Sequence, residues 1–167
     1  MSITDAPESA GSSISAADHD RINAILSFWF KEQTLSAPQI DRRMDVWFGE
    51  DEVFDLECER EFRDDVIKAS EGELGHWAEE PRGRLALILL IDQFRRNIYR
   101  NTAEAFSHDK LALKYCVEGA RDKKDRGLTP IQQAFFYMPL QHAESLRVQE
   151  KAVVIFNRLA DAVSPTY

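Results

Sequence analysis

The chain has 167 residues, 44% of them hydrophobic, and 29 Asp and Glu against 21 Lys and Arg give it a net charge of -8. That length closes one core without metals or disulfides. The acidic balance excludes a broad nucleic-acid footprint, because like charge opposes contact with a phosphate backbone. Cys58 and Cys116 lack CxxC spacing and the density of a secreted disulfide scaffold, so they read as buried thiols in helical contexts.

Residues 1–17, MSITDAPESAGSSISAA, offer almost nothing large to bury and are expected to form a disordered tail. They have neither the basic start nor the apolar core of a secretory signal, so cytoplasmic residence is expected. A single all-helical domain is expected over 18–163, with a short C-terminal tail at 164–167. Asp18 is placed to cap a first helix carrying Ile22, Ile25, Leu26, Trp29 and Phe30 at helical spacing. Pro38 opens a second helix, which ends with Met44, Trp47 and Phe48 before Gly49. Phe54, Cys58, Phe62 and Val66 recur every four residues, the stripe of a third helix packed on one face. Gly72 and Gly75 break the next stretch.

Pro81 then starts a helix predicted to run to about Tyr99. Leu85 to Ile91 leave it no solvent face, so it is expected to be the buried central helix. The apolar run 85–91 is far too short to span a bilayer. Thr102 is read as the cap of a helix ending near Gly119–Arg121, and RDKKDRG as a solvated loop. Thr129 and Pro130 mark a short helix that Pro139 is expected to disturb. A last helix over about 145–162 shows a stripe of Gln149, Ala152, Val153, Phe156, Leu159, Ala160 and Val163. The fold class expected is all-α: an antiparallel helical array or α/α superhelix.

The chemistry is concentrated where the oily central run turns polar, at Asp92, Gln93, Arg95, Arg96 and Asn97. Asp92 and Arg96 are four apart and share a helical face, which Tyr99 or Arg100 continues. A carboxylate at the deep end needs a cation or several donors, and the forked guanidinium of Arg96 meets that need. Two readings follow: a buried pair that fixes packing, or a carboxylate- or phosphate-binding edge formed with Arg100. His142 and Glu144 lie just after Pro139, a titratable ring beside a carboxylate. His142 suits a general base near neutral pH, with Asp92 or Glu144 orienting its ring; the architectural alternative has His142 bonding a helix end. Trp29, Phe30, Trp47 and Phe48 either line a ligand groove or seal helix contacts.

His19, His76, His108 and His142 show no HExxH spacing. The chain also lacks a Walker lysine loop, a GxGxxG turn, a GxSxG elbow and zinc-finger cysteines. No metal and no cofactor is expected.

The ordered motifs LSFWF at 26–30, WF at 47–48, GELGHW at 72–77, LALILLIDQFRRNIYR at 85–100, TAEAFSHD at 102–109 and FFYMPLQHAES at 135–145 resemble the bacterial family called domain of unknown function 924. The resemblance covers about Ile25 to Leu159. It implies a helical superhelix of tetratricopeptide-like architecture and a candidate site at Asp92, Arg96, Asn97, His142 and Glu144. The family commonly reads DQFPRN and HSE, whereas this chain has Arg95 at the proline and Ala143 at the serine. A mechanism using that serine is therefore untenable here.

Three functions follow as expectations. The first is a domain binding a small anionic ligand or an acidic peptide terminus through Arg96, Arg100, Asn97 and Tyr99, with Trp47 and Phe48 covering an apolar part and Asp92, His142 and Glu144 orienting donors. The second is a small hydrolase or lyase with His142 as base and Asp92 or Glu144 as its orienting acid. The third is a protein-interaction domain, marked by an apolar patch around Trp29 and Trp47 on a concave helical face. No nucleic-acid or membrane partner is expected, and the sequence does not fix an oligomeric state.

Overall fold

The computed structural model describes residues 13–163. The tails expected at 1–12 and 164–167 lie outside the described residues. Residues 13–17, read as tail, are built into the fold. Ile14 is buried, Ser13 donates to Glu79 through its backbone N–H and its hydroxyl, and helix α1 already begins at Ala16. The cap is Ser15 rather than Asp18. The Ser15 hydroxyl accepts from the Asp18 N–H at 3.0 Å while the Asp18 carboxylate accepts from the Ser15 N–H at 3.1 Å, a reciprocal capping box.

Helix α1 (Ala16–Phe30) buries Ile22, Ile25, Leu26, Trp29 and Phe30, the expected stripe. Helix α2 (Ala37–Phe48) has Pro38 in its first turn and its own Ser36–Gln39 capping box. Helix α3 (Glu52–Ser70) is capped by Asp51 and buries Phe54, Cys58, Phe62 and Val66. A 3-10 turn (Gly75–Glu79) leads into the central rod. That rod is continuous through α4 (Pro81–Ile88), a π-helical turn (Leu89–Phe94) and α5 (Arg95–Ile98). Leu85 to Ile91 are fully buried, as a central helix requires.

Thr102 does not cap α6. A second 3-10 turn (Ala103–Phe106) follows it, and α6 (Asp109–Arg121) starts only after His108. Pro139 does not break α7 (Pro130–His142), which carries it in its interior with Thr129 as N-cap. Helix α8 (Leu146–Val163) packs on α7 through Ala152 and Leu159, with Val148, Ile155 and Phe156 partly buried against the core. The expected stripe there is displaced, since Val153 and Ala160 face outward. No strand occurs among the described residues.

The core is one aromatic cluster around the rod. Trp29 packs on Phe54, Phe94 and Phe135, and Phe62 meets Phe94 edge-on at 5.3 Å. Helices α1, α6 and α7 pack on α4, while α3 packs on the π turn and α5. The polar end of the rod is thereby held among α3, α6 and α7.

Candidate functional site

The π turn is where the rod changes character. Its winding loosens so that the Arg95 N–H bonds back five residues to the Leu90 carbonyl. Single π turns inside α-helices recur at functional sites. Here the turn carries Asp92, whose side chain is 0% exposed. A carboxylate sealed from water must be met by donors, and three converge on it. Gln93 Nε2 donates to Oδ2 at 2.7 Å, His142 Nδ1 lies 2.8 Å from Oδ1, and Arg96 Nη1 lies 3.4 Å from Oδ1.

Arg96 serves two carboxylates. Its Nη1 also donates to the Asp92 main-chain carbonyl at 2.5 Å, and its fork grips Asp109 at 3.0 and 2.9 Å. The guanidinium lies over the Phe106 ring at 5.0 Å. The resulting chain, His142–Asp92–Arg96–Asp109, joins the end of α7 to the rod and to the first turn of α6.

His142 is the last residue of α7, and Ala143 turns extended immediately after it. The ring is half-buried against Asp92 and lines a cleft of about 600 Å³. Asp92 when ionised only accepts, so the proton of a neutral ring sits on Nδ1 and the lone pair on Nε2. Nε2 has no hydrogen-bond partner among the described residues. Phe106, Ser107, Asp109, Lys110 and Leu113 also line this cleft, as do Ala143, Glu144 and Ser145.

The other expected site residues are distributed differently. Asn97 and Arg100 do not join Arg96. Asn97 Nδ2 donates to Asp55 at 2.9 Å, and Arg100 reaches the same carboxylate at 2.7 and 3.1 Å, which ties α5 to α3. The Asp55 carboxylate raises the Arg100 pKa further above its ordinary value, with burial opposing. Tyr99 lies beneath the Arg95 guanidinium at 4.8 Å. Trp47 is 4% exposed and its Nε1 donates to the Trp29 carbonyl at 3.0 Å, so it is a core residue. Phe48 is 54% exposed but stacks on Phe135, and neither aromatic lines the cleft. Trp29 is wholly buried as well, so neither indole contributes exposed apolar surface; beside them on α2, Met44 and Phe48 are exposed.

Sequence reasoning missed Ser107, Asp109 and Lys110. Although Ala143 lacks the hydroxyl, Ser107 brings one to the cleft wall, where Arg95 Nη2 donates to it at 3.0 Å and His108 Nδ1 lies 2.8 Å away. Burial, aided by the Arg95 charge, holds His108 below its ordinary pKa. Arg95 itself is buried and also donates to Ser70 and to the Glu104 backbone and carboxylate. The signal for these residues is the charged SHDK run at 107–110, which leads into α6.

Among the described residues no group of three or more His, Cys, Asp or Glu is placed to hold a metal ion, and no helix is long and apolar enough to cross a membrane.

A family model described as bacterial protein of unknown function, DUF924, matches residues 25–166. Among solved structures, a protein of unknown function from Agrobacterium tumefaciens is 29% identical with a TM-score of 0.71, over 88% of this chain and 82% of that one. No protein of curated function matches the chain.

Proposed function

The chain belongs to DUF924, a bacterial family of unknown function, and we propose that it is a small hydrolase or lyase in which His142 acts as general base. The observation that carries this reading is the 2.8 Å contact between His142 Nδ1 and a fully buried Asp92 on the wall of the cleft. An Asp held this way fixes the imidazole tautomer and aims Nε2 outward. Nε2 takes a proton from a water or from the substrate, the ring gains a positive charge, and the Asp92 carboxylate balances it without being protonated itself. The proton then passes to the leaving group.

Glu144, exposed on the same cleft, is a poorer orienting acid than Asp92 but stands where a water or a donor of the substrate would lie. Lys110 is the cation to meet developing negative charge, having no ion-pair partner among the described residues. Arg96 is less suited to that task because Asp109 and Asp92 already neutralise it.

The test is turnover of chromogenic esters and phosphoesters, p-nitrophenyl acetate and p-nitrophenyl phosphate among them, by the wild type and His142→Gln. Loss of the general base should lower kcat by about 10²–10⁴-fold with the fold intact. Equal turnover by the variant rejects His142 as the base.

Capture of a small anionic ligand or an acidic peptide terminus is the second reading. It rests on Lys110 rather than on Arg96 and Arg100, whose charges are met by Asp109 and Asp55. Binding that is lost in Lys110→Ala, without any turnover, would favour it over catalysis.

A further inference from the structure

A second polar cleft, of about 450 Å³, opens beside α4 and the first 3-10 turn, lined by Gly75, His76, Glu79, Arg84, Asp122 and Lys124 among others. Arg84 precedes Asp92 by eight residues, about 12 Å along the rod, so this cleft is built from other side chains than the one at His142.

Arg84 is 7% exposed, yet it forms no ion pair within 4 Å among the described residues. Its Nε donates to the Ala78 carbonyl at 3.1 Å and its Nη1 to the Tyr115 carbonyl at 2.8 Å. Nη2 has no hydrogen-bond partner among the described residues and is not sealed from solvent. Guanidinium stays charged in proteins, and buried charges are ordinarily paired. Two arms are therefore fixed on neutral carbonyls and the third is left for something in the cleft.

The side chain is held on this path. A Cβ at Gly119 would stand 2.4 Å from Arg84 Cδ and 2.6 Å from Phe136 Cζ, so only a glycine there lets the arginine pass beneath α6. The guanidinium also sits 5.9 Å from the Tyr115 ring centroid. Lys124 adds a second cation, its Nζ donating to the Glu79 carbonyl at 2.7 Å.

Asp122 on the wall and Glu118 nearby act on the Arg84 charge through space without reaching ion-pair distance, and the wall carboxylates have other partners. The Glu79 carboxylate accepts from Ser13, and Asp122 accepts from Arg121 Nε at 3.4 Å. His76 Nε2 is taken by Asp18 at 2.9 Å.

We propose that this cleft binds a small oxyanion, a phosphate or carboxylate group, held by Arg84 Nη2 and Lys124 Nζ. The anion completes the pairing of a cation that the fold has buried, and the planar fork suits both groups.

The experiment titrates the isotope-labelled full chain with potassium phosphate and, separately, potassium citrate at constant ionic strength, following backbone amide resonances. Saturable shifts at Gly75, Ala78, Glu79 and Lys124 are expected. Arg84 also ties two helices together, so Lys124→Ala is the variant that reads binding apart from folding. It should bind about tenfold more weakly, the weight of one charge-assisted contact. A response to phosphate alone identifies a phosphoryl ligand and a response to citrate alone a carboxylate, and either supports the site. Shifts that do not saturate, or an unchanged affinity in folded Lys124→Ala, overturn it.

Discussion

Arg96→Ala asks whether the buried charge at the centre of the site is structural. Asp92 is fully buried, Arg96 is 21% exposed and Asp109 is 23% exposed. Removing one member of a buried ion pair costs about 3–5 kcal/mol, because the remaining charge is left without compensation. Asp92 keeps the Gln93 and His142 contacts, and Asp109 can turn to water, so the lower end applies and the loss should be about 3 kcal/mol. With a urea slope of about 2 kcal/mol per molar, the unfolding midpoint should fall by about 1.5 M at an unchanged slope. Arg96→Lys keeps the charge but loses the two-pronged grip on Asp109, and should cost about half as much. The assay is urea denaturation near neutral pH, followed by circular dichroism. A loss below about 1 kcal/mol for Arg96→Ala would refute the argument that Arg96 makes the buried Asp92 tolerable.

Two further outcomes follow from titrating groups. Burial alone would raise the Asp18 carboxyl, but the Ser15 backbone N–H and His76 outweigh it and bring it down to about 2. A depressed folded value means stabilisation that is complete above the unfolded value, about 3.9, and is lost as pH falls through about 2. Asp18→Asn should therefore cost about 1–2 kcal/mol near neutral pH, a discounted figure for a partly exposed group, and its difference from wild type should shrink across that acid window in pH-dependent denaturation; a constant difference would contradict the assignment. Burial, reinforced by Asp55 and Glu57, pushes the Cys58 thiol up to about 12, and burial with Asp92 does the same for Cys116. Neither should react with Ellman's reagent in the folded protein at mildly alkaline pH, while both react in urea; rapid labelling of the native chain would show that one is accessible.

The helices were legible wherever one periodic stripe met one core. The four-residue stripe of α3 and the all-round apolar run of the rod carry their burial in their spacing. Asp92 and His142 were each legible as chemistry, but their contact spans fifty residues and depends on how α7 crosses the rod, which no local pattern encodes. Arg96 and Arg100 show the limit of helical spacing. They are four residues apart, yet one goes to Asp109 and the other to Asp55, because the carboxylate that captures a long side chain is set by the flanking helix. Trp47 could line a groove or seal a helix contact on its spacing alone, and the tertiary bond from its indole N–H to the Trp29 carbonyl decides for the seal. In α8 the apolar residues outnumber those the core can accept, so Val153 and Val154 are left outside.

The π turn acts as a phase shifter for the rod. An ordinary α-helix advances about 100° per residue, so rewinding the same six residues, Leu89–Phe94, as regular α-helix would rotate everything after them by about that angle. Arg95, Arg96, Asn97 and Arg100 would sweep together past Glu104, Asp109 and Asp55. The looser winding is therefore as much a part of the site as the residues that carry it: substitutions there act one side chain at a time, whereas regularising the turn without removing a residue would retime the whole polar end of the molecule.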